Sequence, residues 1–414
     1  MSDRPETIPE TPPPRVWAVL CYRAGDNAQI LALAQALGWP FEVKRLAYRP
    51  GGRIFDVWRG TNLFGIDRTR SSPLEPPWPD LVITAAMRNE PVCRWIKQQT
   101  GGKARYVHIG KPWADAARFD LVLTVPEYPV PDRPNVLRTR LSLNRANPVT
   151  LAAAAERWAP RLAHLPRPYI AVLVGGYAGP HCFDQEKAER LGREARALAR
   201  RLGGGTLLVT TSARTEPAAA DALEAAIGQP AHVHRWRPDD PDNPYYGYLA
   251  LAEAIVVTSD STMMLAEACA TGKPVHLFDL LLDDPPPASE PLRAKLKRWW
   301  RRCNPGRLKA FLYREIFWGG LVPRYLVRDI RVVHDELIRA GRVVWLGQPF
   351  PEAPPPLPDE MALAVARVRA LFPDRAAPPL PHAAAPALAP TAPCPAASEV
   401  PGTRPPSAAS ITRA

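Results

Sequence analysis

The stretch TSDSTMMLAEACATGKPVHLF, residues 258–278, decides how the rest of the chain is read. It follows the apolar run AIVV and closes on another, VHLF, so it reads as strand, tight turn, helix, glycine stop and strand. Two strands joined through a helix form the βαβ unit of a parallel sheet. The mouth of the helix carries Ser259, Asp260, Ser261 and Thr262, and its small, apolar body carries one acid, Glu267. Ser, Asp and Thr are ordinary helix caps. The same hydroxyls and free backbone N–H groups also cradle a phosphate, whose charge the helix dipole favours. Glu267, about two turns in, is placed to accept hydrogen bonds from ribose hydroxyls beside that phosphate, or to lie on an ordinary helix face.

The same alternation runs outward in both directions. In the first half, RVWAVLCY (15–22), FEVKRL, DLVITAA, RYVHIG, FDLVLTV and NVLRT (135–139) read as strands, with an Ala/Leu/Gln helix after the loop RAGDN. In the second half come PYIAVLVGG (168–176), a long helix stopping at the glycine run 203–205, TLLVTTS, a helix through residue 227, HVHRW and a short helix at YGYLALAE. Strands alternating with helical patterns predict an α/β fold of two Rossmann-type, doubly wound domains facing each other across a cleft. The expected units are an N-terminal domain over 15–150, a linker at 146–167, a C-terminal domain over 165–285 and a basic helical extension over 286–372. Residues 1–14 and 373–414, rich in Pro and Ala with little to bury, read as disordered tails.

In such sheets ligands sit beyond the carboxyl ends of the strands. Four loops have suitable chemistry there: Gly25-Asp26-Asn27-Ala28-Gln29, Gly175-Gly176-Tyr177-Ala178-Gly179, Thr210-Thr211-Ser212-Ala213-Arg214-Thr215, and Thr258 to Thr262. SDSTMMLAEACATGKPV resembles the donor-site segment of GT-B glycosyltransferases, and the resemblance implies a donor-binding set of Gly175, Gly176, Thr211, Ser212, Arg214, Ser259, Asp260, Ser261, Thr262 and Glu267, with Asn27 and Gln29 as the acceptor-side candidates. Sugar transfer without a metal needs a base for the acceptor hydroxyl and positive charge for the leaving diphosphate. Asp26 is the first candidate base and Glu127, after FDLVLTVP, the second; Lys111 and Arg214 are candidates to steady phosphates. For Asp26 the alternative is an N-cap, and for Glu127 a solvated loop acid.

Other chemistries fit less well. Asp240-Pro241-Asp242 has a metal-binding DxD spacing but stands in the proline-rich loop RPDDPDNP. His232 and His234 share a strand face without a third ligand nearby. GGYAG is a poor match to the GxGxxG dinucleotide fingerprint, which disfavours an NAD enzyme. No metal and no cofactor is expected; the nucleotide sugar is the substrate. The six cysteines are scattered without a CxxC pair, as reduced buried thiols are.

With GDNAQILALAQALG, TVPEYP…PNVLRT, TTSARTEP and NPYYGYLALAEAIVV, the segment SDSTMMLAEACATGKPV more closely resembles the plant elongated-mitochondria (mitochondrial fission) family and its bacterial relatives, over about residues 16–280. The resemblance implies a GT-B-like pair of domains. It also implies a Gly-Arg-Arg near 86–90 and a His-Asp after the proline near Glu127; this chain has neither.

The net charge of +12 favours anionic partners. Residues 291–315 hold nine Lys/Arg and no acid before Glu315. Lys297, Arg298, Arg301 and Arg302 flank Trp299 and Trp300, a pattern suited to an anionic bilayer surface. A solvated basic face is the alternative, and nucleic acid is disfavoured because no recognition motif accompanies the charge. The start is acidic and proline-rich rather than signal-like, and no apolar run reaches spanning length, so a cytoplasmic protein, peripheral on the inner membrane face, is expected. Three functions follow: a glycosyltransferase using a nucleoside-diphosphate sugar, a non-catalytic adaptor recruited to a membrane, or a nucleotide-sugar epimerase.

Overall fold

The inner apolar runs of each sheet become strands buried along their length, as sheets covered on both faces require. The computed structural model describes residues 12–49, 60–281, 327–351 and 357–375. In its first half lie β1 (Val16–Leu20), β2 (Phe41–Arg45), β3 (Leu81–Ala85), β4 (Arg105–Ile109), β5 (Leu121–Thr124) and β6 (Val136–Arg138). They form one parallel sheet in the order β2-β1-β3-β4-β5-β6. The FEVKR of β2 is half-exposed because it is an edge strand. Against this sheet lie α1 (Ala24–Ala36) and α2 (Glu90–Gln99).

The second sheet holds β7 (Tyr169–Leu173), β8 (Thr206–Thr210), β9 (Ala231–His234), β10 (Ala254–Thr258), β11 (Val275–Phe278) and β12 (Val344–Trp345). Its order is β12-β11-β10-β7-β8-β9, all parallel. Counted from its own first strand this is the 3-2-1-4-5-6 order of dinucleotide-binding sheets, although the glycine fingerprint is absent. The order reverses between β7 and β10, and in the first sheet between β1 and β3. These are the points where a ligand crevice opens. The paired Rossmann-type domains of the GT-B-like reading are therefore present.

Residues 146–167, expected as a linker, are mostly a helix, α3 (Pro148–Leu162). The Asn147 side chain accepts from the Thr150 amide at 2.9 Å and Pro148 starts the first turn, both strong helix starts. The remaining helices are α4 (Gln185–Arg201), α5 (Pro217–Ile227), α6 (Tyr245–Leu251), α7 (Thr262–Ala270), α8 (Arg331–Arg339) and α9 (Glu360–Arg369). Trp158 of α3 packs against α6 at Gly247, where any Cβ would overlap the indole.

Nor is 286–372 a separate extension where it is described. Val333 and Leu337 of α8 join the core under the second sheet. Ala364, Val365 and Val368 of α9 pack with Leu33, Leu37 and Trp39 under the first. The described parts of the expected tails also meet, with Arg375 donating to the Pro12 carbonyl at 2.6 Å. The basic stretch with Lys297, Arg298, Trp299, Trp300, Arg301 and Arg302 lies outside the described residues, as does most of both tails. Among the described residues no helix is long and apolar enough to cross a membrane.

Candidate functional site

The loops after β7, β8 and β10 close on one carboxylate. Asp260, whose side chain is fully buried, accepts from the Gly176 amide at 2.9 Å and from the Thr258 hydroxyl at 2.7 Å. Arg214 pairs with it at 2.7 Å. The Thr258 hydroxyl in turn accepts from the Gly175 amide. Gly175 and Gly176 are demanded by this approach: a Cβ on the first would overlap the Asp260 carboxylate, and one on the second the Arg214 backbone. Ser212 donates to the Gly175 carbonyl at 2.8 Å, Thr211 accepts from the Trp236 amide at 2.9 Å, and Ser259 accepts from the Leu280 amide at 3.0 Å.

The sequence-expected donor residues are thus brought together, but most spend their polar atoms on one another. Thr211, Ser212, Ser259 and Asp260 lock the loops into a rigid floor. The exceptions are Ser261 and Thr262, which open α7 without a side-chain cap. Glu267 requires a correction. Instead of facing a ribose, it is 5% exposed, and its two oxygens accept from the Tyr245 and Tyr246 hydroxyls at 2.6 and 2.7 Å. Burial raises its pKa, and those two bonds oppose the rise. The one acid in this small apolar helix pins α6 to α7.

The first sheet supplies the facing wall. Asn27 folds the loop after β1 back on itself, accepting from the Cys21 amide at 2.7 Å and donating to the Cys21 carbonyl at 2.9 Å. Its amide is therefore occupied structurally rather than turned to an acceptor. Gln29 lies half-buried in α1. Asp26 keeps 23% of its side chain exposed beside Arg23. Burial raises its pKa while Arg23 and Arg328 pull it down. The Cys21 thiol beside it is pushed up to about 12, by burial first and then by Asp26, so this cysteine stays protonated.

Glu127, after β5, is buried, and its partner comes from far along the chain. Arg328 Nε donates to Glu127 Oε1 at 2.9 Å, and Arg328 Nη2 donates to the Thr262 hydroxyl at 2.9 Å. The Asp329 amide donates to the Glu127 carbonyl at 3.0 Å. Burial raises the Glu127 pKa, against the pull of Arg328 and the Thr262 hydroxyl. One guanidinium therefore spans both strand-end rims and reaches the first turn of α7 at Thr262. Arg328 escaped sequence reading because it sits 201 residues from Glu127, in the unremarkable run YLVRDIRVV.

The remaining candidates lie elsewhere or carry other duties. Lys111 follows β4, and burial lowers its pKa. Asp242 is held by Arg157 and Arg161 on the surface, His232 meets the Tyr248 hydroxyl, and His234 lies 3.4 Å from Asp240.

Comparison with known proteins gives a family. The model of the family described as mitochondrial fission ELM1 matches residues 24–302. The mitochondrial fission protein ELM1 of Arabidopsis thaliana is 27% identical over 236 residues, covering 51% of this chain and 54% of that protein. The chain thus spans about half the length of this relative. Among solved structures, Acinetobacter baumannii MurG aligns over 86% of this chain and all of its own, at 13% identity and a TM-score of 0.37. An S. aureus MnaA–UDP structure aligns over 86% and 94%, at 11% identity and a TM-score of 0.40.

Proposed function

We propose that this chain, which belongs to the mitochondrial fission ELM1 family, binds a nucleoside-diphosphate sugar against α7 and transfers the sugar to an acceptor hydroxyl. The observation that carries this reading is the meeting of two strand-end rims on one arginine at an uncapped helix mouth. The first-turn amides of α7 and the Arg328 guanidinium supply the positive field a leaving diphosphate needs. Asp26 is the base. It is partly exposed on the facing rim, and its raised pKa brings it nearer the range in which a carboxylate takes up a proton effectively. The proton leaves the acceptor hydroxyl for Asp26 as that oxygen bonds to the sugar. The bond from sugar to diphosphate breaks, and its electron pair leaves with the nucleoside diphosphate.

The acceptor is placed at an anionic membrane surface by the basic stretch 291–315, whose nine cations would each contribute about 1 kcal/mol near charged lipid. Calorimetric titration with a panel of nucleoside diphosphates tests the donor reading, with phosphatidylglycerol vesicles present and absent. One base should bind, and Ser261→Ala with Thr262→Ala should weaken it several-fold while the fold survives. If no nucleotide binds the wild type, the enzymatic reading falls and a partner-recruiting role for the same fold replaces it. If the protein does not sediment with the vesicles at low salt, the acceptor is not a membrane component.

A further inference from the structure

We infer that Glu127 is the resident counter-ion of Arg328, holding the place of the donor diphosphate, and that donor binding takes Arg328 away from it. The inference rests on the donor site proposed above and goes on to assign what Arg328 and Glu127 do there.

Three observations carry it. First, the guanidinium is divided between two kinds of partner: Glu127 on the first rim and the Thr262 hydroxyl on the second. An anion seated on the first turn of α7 arrives beside Nη2 and competes for the positive charge that Glu127 holds. Second, Glu127 is a costly partner to keep there. It is 3% exposed, and its second oxygen, Oε2, is buried with no hydrogen-bond partner among the described residues. A buried carboxylate remains charged chiefly through its cation. Third, Arg328 joins loops from both sheets and also lies against the Tyr128 ring, 5.6 Å from its centroid. Moving its charge away from Glu127 therefore also changes the field at Asp26 and Tyr128.

Among the described residues, the groups that face Glu127 are Arg328, the Thr262 hydroxyl, Asp26 and Tyr128. Of these, only Arg328 is a cation. When the diphosphate takes that cation, Glu127 is left buried beside Asp26 with no counter-charge. It then takes up a proton from solvent, so donor binding is coupled to proton uptake at this position. Asp26, relieved of a charged neighbour, keeps its own role as base. Arg328 contacts the substrate on this account; Glu127 acts through Arg328 and is a positioning residue.

The test uses the full chain and titrates it with whichever nucleoside diphosphate binds the wild type, in two buffers of different ionisation enthalpy. Glu127→Gln should tighten binding about tenfold, because the competing carboxylate is gone. It should also lower the number of protons taken up on binding relative to wild type. Arg328→Met should weaken binding at least tenfold, and Glu127→Gln added to it should then change affinity by less than twofold. Glu127→Asp, too short to span to Arg328, replaces the Gln variant if that one does not fold. The inference is overturned if Glu127→Gln weakens binding, if the proton count matches wild type, or if the Glu127 effect persists without Arg328. A wild type that binds no nucleoside diphosphate instead refutes the donor site itself, and this inference goes with it.

Discussion

At the scale of single residues, burial decides more than charge pairing. Glu90 begins α2 and is 1% exposed; Oε1 accepts from the Trp113 amide and Oε2 from the Ala114 amide. Two amide donors would normally lower a carboxylate's pKa, yet burial outweighs them and raises it from 4.5 to about 7. The folded protein then binds this proton more tightly than the unfolded chain. The stabilisation is full below about pH 4.5 and is lost as pH rises through about 7. The loss amounts to roughly 3 kcal/mol at most. Urea unfolding of wild type and Glu90→Gln at pH 5 and pH 8 checks this. The wild type should lose stability relative to the variant across that interval, and a constant difference would refute it. Nearby, Ala86 takes φ 66° and ψ 139°, a conformation suited to glycine. It stands where the family resemblance leads one to expect a Gly-Arg-Arg, so the departure in sequence keeps the glycine-like backbone and adds strain.

At the scale of elements, the loops after β7, β8 and β10 behave as one unit. Gly176 has the Arg214 backbone where its Cβ would be, and backbone cannot swing aside as a side-chain tip can. Gly176→Ala should cost about 1–3 kcal/mol in urea unfolding. Gly25→Ala, with nothing within 4 Å at the start of α1, should be neutral or stabilising by about 0.5 kcal/mol. Equal effects would mean that the loops are not interlocked. Sequence made the inner strands legible because they are apolar runs rich in β-branched residues, bounded by turn residues, and it made the mouth of α7 legible because hydroxyls clustered there. It did not reveal that Ser212, Thr211 and Asp260 bind loop backbone. Those partners lie 25 to 84 residues away and depend on how closely two loops approach. Glu267 misled for the same reason: an acid on a helix looks free until the tyrosines of α6 are placed against it.

At the scale of the whole molecule, the chain crosses between its sheets more than once, which local composition cannot foretell. The described part of the C-terminal region first completes the second sheet with β12 and then returns to the first as α9. Arg369 donates to the Leu37 carbonyl at 2.9 Å, and Glu360 accepts from the Arg140 amide at 2.9 Å, so α9 is fastened at both ends to first-domain backbone. Its apolar stripe of Ala364, Val365 and Val368 covers the end of α1, and Phe372 meets Trp39 edge-on at 5.6 Å. The first domain is therefore incomplete until α9 docks. Replacing Val365 and Val368 with Asp puts two unpaired charges into that contact and should cost at least ~3 kcal/mol, most of it in one domain. Hydrogen exchange should show amides of α1 and β5 losing protection while those of β7 and β10 keep theirs. Thermal unfolding should divide into two steps, the first belonging to the N-terminal sheet. If both sheets lose protection equally, the two domains fold as one cooperative unit through the Glu127–Arg328–Thr262 bridge. If neither does, α9 is not a structural part of the first domain.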